Sequence, residues 1–551
     1  MANKSLFKSQ PKPTGIKLNV PSATAVNAAG GKAHAMEPKH ALLQMIMTGT
    51  LTNTFYSAGE KQLGDLLVLA QSLAKTDPEF LSKAALFARE KGYMKDSPAL
   101  LLAVLASEYS EPAREALKKA FLPVMNNGKM LKNFAQMIRS GQFGRKSLGA
   151  SSIKKLMQKW FANRTSINLF KDSIGTAPSL ADVIKMVHPK PSSDEQASLY
   201  AYLIDKPLTA EAKEGNYTVT FDKLPALIQE FENWKKNTAL PVPAVPFQML
   251  TAQKLTKEQW TDIAKKASWQ TIRMNLNTFL RHGVFSDPEV VTFISNRLKD
   301  PSEIKRANIF PYQLLTAFKN IENGVPTEIV KALEEAMEIS VDNIPALQGN
   351  VVICPDVSGS MSSPVTGSNG SATSKARCID VAALVAAALL RKNPNARVLP
   401  FEGAVVPANR LTLDPKASIM ENAKRLAAIG GGSTNCAAPL AQLNVEHATV
   451  DYVIYISDNE SWVTDQSIGR IYGGGRGTST MVQWELLKKR MPNAKMVCID
   501  VQPNQSTQAV NREDILNIGG FSDSVFELMC NYFIGKKEAH LWTSAVEEIT
   551  F

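Results

Sequence analysis

The sequence predicts a multidomain fold in two parts: an all-α helical-repeat body followed by an open, doubly wound α/β domain. Three observations carry this reading. Across residues 36 to about 340, apolar positions recur at i, i+3, i+4 and i+7, the spacing of a helix with one buried face. From about residue 345 the pattern changes to short runs apolar on both faces, alternating with helical stretches, as strands of a doubly covered parallel sheet read. A chain of 551 residues, 44% hydrophobic and 21% charged, is long enough and ordinary enough to fill several globular cores.

In the body, the helical segments are ALLQMIM (41–47), QLGDLLVLAQSLA (62–74), EFLSKAALFARE (79–90), PALLLAVLASEY (98–109) and PAREALKKAFLPVM (112–125). Between them stand Thr76-Asp77-Pro78, Lys95-Asp96-Ser97-Pro98 and Ser110-Glu111-Pro112. Each places a capping or acidic residue just before a proline at the first turn. The unit is a short antiparallel helix pair repeated with poor fidelity, and such pairs stack into arrays of the HEAT or armadillo kind. Ahead of the helices, residues 1–35 hold five Lys and neither Asp nor Glu, and read as a flexible tail.

In the second part, NVVICPD (350–356) is an apolar run that ends in an acid. Helix CIDVAALVAAALLRKN (378–393), strand ARVLPF (396–401), a helix near Ser418–Ala428, strand DYVIYISD (451–458), helix TMVQWELLKKRM (480–491) and strand AKMVCIDV (494–501) follow. Open α/β sheets bind ligands at the carboxyl ends of their strands. Asp356, Ser358 and Ser360 in DVSGS follow the first strand, Thr434 lies in GGGSTN (430–435), and Asp458 follows another strand, so all five are expected at one edge. A set of carboxylate and hydroxyl oxygens, with no His or Cys, selects a hard cation, Mg²⁺ first and Mn²⁺ second. With few carboxylates such a cation keeps residual positive charge and attracts an acidic group from a partner.

Charge is unevenly placed. Residues 1–350 contain 44 Lys and Arg against 32 Asp and Glu, whereas residues 351–551 contain 18 against 19. From Pro112 to Lys171 there are 13 basic residues and one acid, Glu115, where a solvated helical surface would interleave the two signs. The asymmetry points to a polyanion, and nucleic acid is the leading candidate. Asn126, Asn127, Asn133, Phe134, Phe143, Trp160 and Phe161 lie in the same stretch and are candidates for stacking or base-edge contacts, although Trp160 and Phe161 fit a core better.

No apolar run reaches the ~18 residues of a membrane span. The five Cys form no C-x-x-C pair, which suits free thiols in a reducing, cytoplasmic setting. GGGRGTST (473–480) lacks the Lys of a phosphate-binding loop, and no His adjoins the metal motifs, so neither nucleotide hydrolysis nor metal-assisted hydrolysis is expected.

The DVSGS, GGGST and Ser457-Asp458 elements in this order resemble the von Willebrand factor type A domain and its metal-ion-dependent adhesion site, over about residues 348–530. The resemblance implies Asp356, Ser358, Ser360, Thr434 and Asp458 as the metal shell. Ser433-Thr434-Asn435 departs from the family's Gly-Thr-Asp. SGQFGRKSL (140–148), KKLMQKWF (154–161), DVIKMVHPKPSS (182–193), TFLRHGVF (278–285) and NIFPYQLLTAF (308–318) resemble the TROVE module of the Ro ribonucleoprotein autoantigen family, whose domain order this chain shares. The implied domains are a TROVE-like body at 36–345, a metal-binding domain at 346–530 and a C-terminal extension at 531–551. The resemblance further implies a closed helical ring and a non-catalytic role in RNA quality control. Small noncoding Y-type RNA would lie on its basic outer surface and single-stranded RNA 3′ ends would enter its central hole. A 3′-exoribonuclease partner and an acidic protein ligand at the metal are also implied. Arg145 and His188 match the family's RNA-contact motifs, with Lys190 beside His188. Charge adds Lys118, Lys119, Lys132, Arg139, Lys146, Lys154, Lys155 and Lys159. The competing reading is a metal-dependent protein–protein adaptor without RNA.

Overall fold

A computed structural model gives the fold, describing residues 18–48, 57–144, 147–149, 151–175, 177–209, 212–307, 309, 311–342, 344, 346–365, 376–462, 477–502, 504–520, 523–533 and 541–551. The helical body opens with α1 (Pro38–Thr48), α2 (Gly59–Thr76), α3 (Pro78–Glu90), α4 (Asp96–Ser107), α5 (Glu111–Val124), α6 (Gly128–Ser140), α7 (Ser151–Ala162), α8 (Ser166–Asp172) and α9 (Leu180–Val187). The punctuation read from the sequence acts as caps. Asp77 accepts the Phe80 N–H at 3.0 Å and Ser110 accepts that of Ala113 at 3.4 Å. Each such cap contributes about 1 kcal/mol by satisfying a donor the helix leaves open. Helix α4 is buried along its whole length from Ser97 to Ala106, since α3, α5 and α6 all pack on it. Further helices continue to Thr327–Ser340, with one small hairpin, β3 (Lys213–Glu214) and β4 (Tyr217–Thr218), inserted on the way.

The second part is a five-stranded parallel sheet in the order β10-β8-β7-β5-β6. The strands are β5 (Val351–Pro355), β6 (Arg397–Val398), β7 (Tyr452–Ser457), β8 (Lys495–Asp500) and β10 (Ile515–Gly519). Its central register places Ile353 beside Ile454, and Ile454 beside Val497, forming an apolar row across the sheet. Chain order reverses beside β5: β6 lies on one side of it and β7 on the other. That crevice is the ligand position of this architecture.

Two expectations are corrected, and one strand is new. The strand expected over 396–401 has only two ladder residues, Arg397 and Val398. Leu399 and Phe401 still donate to Ile353 and Pro355, at 2.8 and 3.1 Å, so the path is kept. Strand β10 was not anticipated. The flexible tail expected over 1–35 is ordered in its described part. β1 (Ala25–Val26) pairs antiparallel with β2 (Lys32–Ala35), which in turn pairs with β9 (Ser506–Thr507) of the C-terminal half.

Both ends of the helical body dock on the α/β half. At one end α1 and α3 pack on the helix Leu541–Glu547, where Trp542 is buried and meets His40 edge-on at 5.2 Å. Lys39 pairs with Glu547 at 2.6 Å and Lys91 with Glu527 at 3.3 Å. The C-terminal extension is therefore the surface on which the body begins. At the other end, Thr327–Ser340 and Pro311–Asn320 pack on the helices Ile419–Ala427 and Cys378–Lys392. There Glu338 accepts the Ile419 N–H at 2.7 Å, Lys392 pairs with Asp342 at 2.9 Å, and Lys319 pairs with Asp380.

Candidate metal centre and cationic face

β5 is buried at all five positions, so the chain leaves it with Asp356 fully buried at the crevice. Asp356 is then fixed from two sides. Its Oδ1 accepts the Ser358 N–H at 2.9 Å, and its Oδ2 accepts the Ser457 hydroxyl at 2.6 Å. The hydroxyls of Ser358 and Ser360 lie 3.2 Å apart, and the Ser360 hydroxyl hydrogen-bonds to the Asp458 carboxylate. The Asp458 carbonyl accepts Asn504 Nδ2 at 2.6 Å. The glycine loop is laced in by backbone: Gly431 donates to the Val357 carbonyl and Gly359 to that of Gly432, both at 3.1 Å. Gly432 has φ +77, and a Cβ there would overlap the Glu402 carboxylate, so glycine is required for this approach. Thr434 is buried on this loop, with its carbonyl accepting the Ser461 hydroxyl at 3.4 Å. The sequence-predicted set of Asp356, Ser358, Ser360, Thr434 and Asp458 is thus gathered from three mutually bonded loops, all five buried.

Burial pushes the Asp356 carboxyl well above the carboxylate range, and the neighbouring Asp458 pushes it further; burial raises Asp458 too. Two such acids avoid sharing negative charge unless a cation sits between them. Among the described residues there is no group of three His, Cys, Asp or Glu that could hold a metal. The donor set is two carboxylates and three hydroxyls, which fits a hard cation and excludes a zinc-type site.

Sequence reasoning missed the surroundings. A cavity of about 460 Å³ opens over Ser360 and Asp458, walled by the β1–β2 hairpin and by Ser57, Lys61 and Gln62 at the start of the α2 region. The hairpin grips the loop that follows Asp458. Asn27, buried, accepts the Gly31 N–H at 2.7 Å and donates to the Ser461 carbonyl at 2.8 Å. Glu460 accepts the Ala29 N–H at 3.0 Å. A Cβ on Gly31 would run into the Ser461 carbonyl. Asp500, also buried at this edge, accepts the Gln502 N–H at 3.1 Å. Its one sequence signal is an acid ending the strand AKMVCID.

The basic residues divide. Lys119, Arg139, Lys155 and Lys159 are exposed and make no ion pair among the described residues; Lys154 is half-buried. His188 and Lys190 are exposed beside α7, because Gln158 of α7 donates to the Val187 and His188 carbonyls at 2.8 and 3.1 Å. Lys118 is exposed and paired with Glu115. Lys132 is a correction: it is buried, its ammonium capping the carbonyls of Asp172 and Ile174. It fastens α6 to the end of α8 and is not a surface phosphate contact. Arg145 and Lys146 lie outside the described residues. Like charge is dense enough that Lys129 and Arg89 add to burial in lowering the Lys95 ammonium. The aromatics expected as stacking candidates are all core: Phe134, Phe143, Trp160 and Phe161 are buried. An exposed aromatic does stand just past the end of α4: Tyr109, at 61% exposure. Its position at a helix end ahead of Ser110-Glu111-Pro112 was the available signal.

Residues 350–533 match the family model described as the Ro60 vWA domain. Over 539 residues, 93% of this chain and 95% of the relative, the sequence is 24% identical to a Deinococcus radiodurans protein named RNA-binding protein RO60. The crystal structure of the Deinococcus radiodurans RO (RSR) protein matches with a TM-score of 0.62 at 19% identity, covering 90% of this chain and 99% of that one. The resemblance read from the sequence, and the succession of a helical body and an α/β domain with a parallel sheet, are borne out. Among the described residues no helix is long and apolar enough to cross a membrane, and all five cysteines are free.

Proposed function

We propose that this chain is a non-catalytic RNA-binding protein of RNA quality control. A structured small noncoding RNA of the Y type lies on the cationic face of α5–α9, and the helical body encloses a hole that admits single-stranded 3′ ends. The observation that carries the reading is the cationic face itself. Lys155 and Lys159 stand exposed with no ion pair among the described residues, next to His188 and Lys190, and Lys119 and Arg139 are exposed with only Glu115 and Asp182 as acidic neighbours. Cations so placed hold phosphates by charge and release counterions, which positions a duplex without reading its sequence. The named relative from Deinococcus radiodurans supports the same reading. The docking of both ends of the body on one domain supports a closed circuit. A closed circuit admits free ends and excludes strands that have none.

In the α/β domain, Asp356, Ser358, Ser360, Thr434 and Asp458 would hold a divalent cation, Mg²⁺ by donor type. Bound there, the cation supplies a positive, open coordination position for an acidic group of a protein partner. The walls of the cavity restrict that partner to a narrow segment. Five unpaired thiols suit a reducing compartment such as the cytoplasm.

The test is RNA binding against salt. The affinity of a folded RNA stem should fall linearly on a log–log plot, with a slope of about −0.9 per phosphate neutralised. Charge reversal at Lys119, Arg139 and Lys159 together should flatten the slope and weaken binding at unchanged melting temperature. Wild-type affinity in that variant would end the assignment of this face.

A further inference from the structure

The cationic face does not account for one feature beside it. Where α4 ends, α5 and α7 diverge around a groove of about 660 Å³. Its floor is apolar, with Leu117 buried and Leu122 and Leu156 half-buried. Tyr109 stands at one rim, and Lys155 and Lys159 on α7 stand at the other. The two acids near the groove are engaged locally: Glu111 pairs with Arg114 at 3.5 Å, and Glu108 accepts the Ser110 N–H at 3.2 Å. The rim is therefore net cationic over an apolar floor. Leu122 and Leu156 pack against the core and still present apolar surface to the groove that the exposed Tyr109 also lines, a floor that duplex phosphates alone would leave uncovered.

We propose that this groove receives one unpaired nucleotide of the bound RNA. Its base would lie on Leu122 and Leu156 and against the Tyr109 ring, with its flanking phosphates on Lys155 and Lys159. The proposal rests on the RNA-binding reading and deepens it. A base can enter only if it has left its helix, so the groove selects bulges, loops and single strands, while the rest of the cationic face accepts duplex. Aromatic–base stacking tolerates any base, so no sequence preference is expected from this contact.

The test measures fluorescence anisotropy of two labelled RNAs, a 12-nucleotide oligouridylate and a blunt, tightly looped hairpin, on the full chain. Tyr109→Ala should weaken the oligouridylate roughly 5- to 150-fold, which is base–aromatic stacking of about 1–3 kcal/mol converted at about 1.4 kcal/mol per tenfold. The hairpin should stay within about twofold, the melting temperature should hold, and Tyr109→Phe should restore oligouridylate binding, since the ring survives. Equal loss for both RNAs, or no loss for either, overturns the groove while leaving the cationic face intact. Displacement of oligouridylate by an oligoglutamate of equal charge at equal concentration would make the groove a general dock for acidic chains, and overturns it as well. If the wild-type chain binds neither RNA, the RNA-binding reading itself fails.

Discussion

Asn27→Ala should open the N-terminal hairpin without unfolding the protein. The Asn27 side chain is buried and makes two hydrogen bonds, from the Gly31 N–H at 2.7 Å and to the Ser461 carbonyl at 2.8 Å. Truncation orphans the Gly31 donor, costing about 1–3 kcal/mol. It also loses the bond to Ser461, which contributes about 1 kcal/mol, because that carbonyl keeps only a 3.4 Å contact from Gln508 Nε2. The sum is about 2–4 kcal/mol, drawn from an element of two short strands with little apolar burial of its own. Local opening should respond in full. Native-state hydrogen exchange reads this directly. The amides of Asn27 and Ala29, bonded to the Gly31 carbonyl and the Glu460 carboxylate, should exchange roughly 30- to 1000-fold faster. Amides of β7 such as Ile454 should not change. If hairpin protection moves by less than threefold, Asn27 does not hold the hairpin and the account of its grip on the 458–462 loop is wrong.

Asp356→Ala should abolish Mg²⁺ binding by calorimetry while RNA affinity stays within about threefold; equal loss of both would mean the two halves fold as one unit. In the metal-free protein, burial and Asp458 raise the Asp356 carboxyl from its ordinary 3.8 to about 7. The folded state thus holds a proton that the unfolded state releases, so the stability contribution is full below about 4 and is lost as pH rises through about 7. Metal-free protein should melt higher at pH 5.5 than at pH 8, with Mg²⁺ recovering the loss at pH 8; an unchanged pH slope in Asp356→Asn would refute this. Lys132→Ala should destabilise by about 1–3 kcal/mol, since the Asp172 and Ile174 carbonyls lose their donor, while the salt slope of RNA binding stays as in wild type. A reduced slope would return Lys132 to the phosphate contacts.

The elements visible in the sequence were those with local causes. β5, β7 and β8 are apolar on both faces and end in Asp356, Asp458 and Asp500, so both strand and ligand edge could be read from the chain. The caps at Asp77 and Ser110 were equally local. The hairpin was invisible because its strands are two and four residues long and its partners lie more than 400 positions away. Its polar, glycine-bearing composition is that of a tail. Lys132 was misread because charge is a property of sequence and burial is not. Nothing near it distinguishes it from Lys129, which faces solvent three residues earlier. Among the stacking candidates, helical spacing already marks Trp160 and Phe161 as core, whereas Tyr109 was passed over because it ends the periodic segment PALLLAVLASEY (98–109).

The salt bridge between Lys39 and Glu547 joins residues 508 positions apart. Its closure has a temporal consequence. During synthesis, α1 and α3 emerge well before the helix that covers them, with Trp542 at its centre, because several hundred residues lie between. Until that helix is made, the first face of the body stays open to water. A chain lacking Leu541–Glu547 would leave that apolar face uncovered, an invitation to chaperones or to degradation. Closure of the circuit is therefore a late step that local folding of the first helices cannot replace.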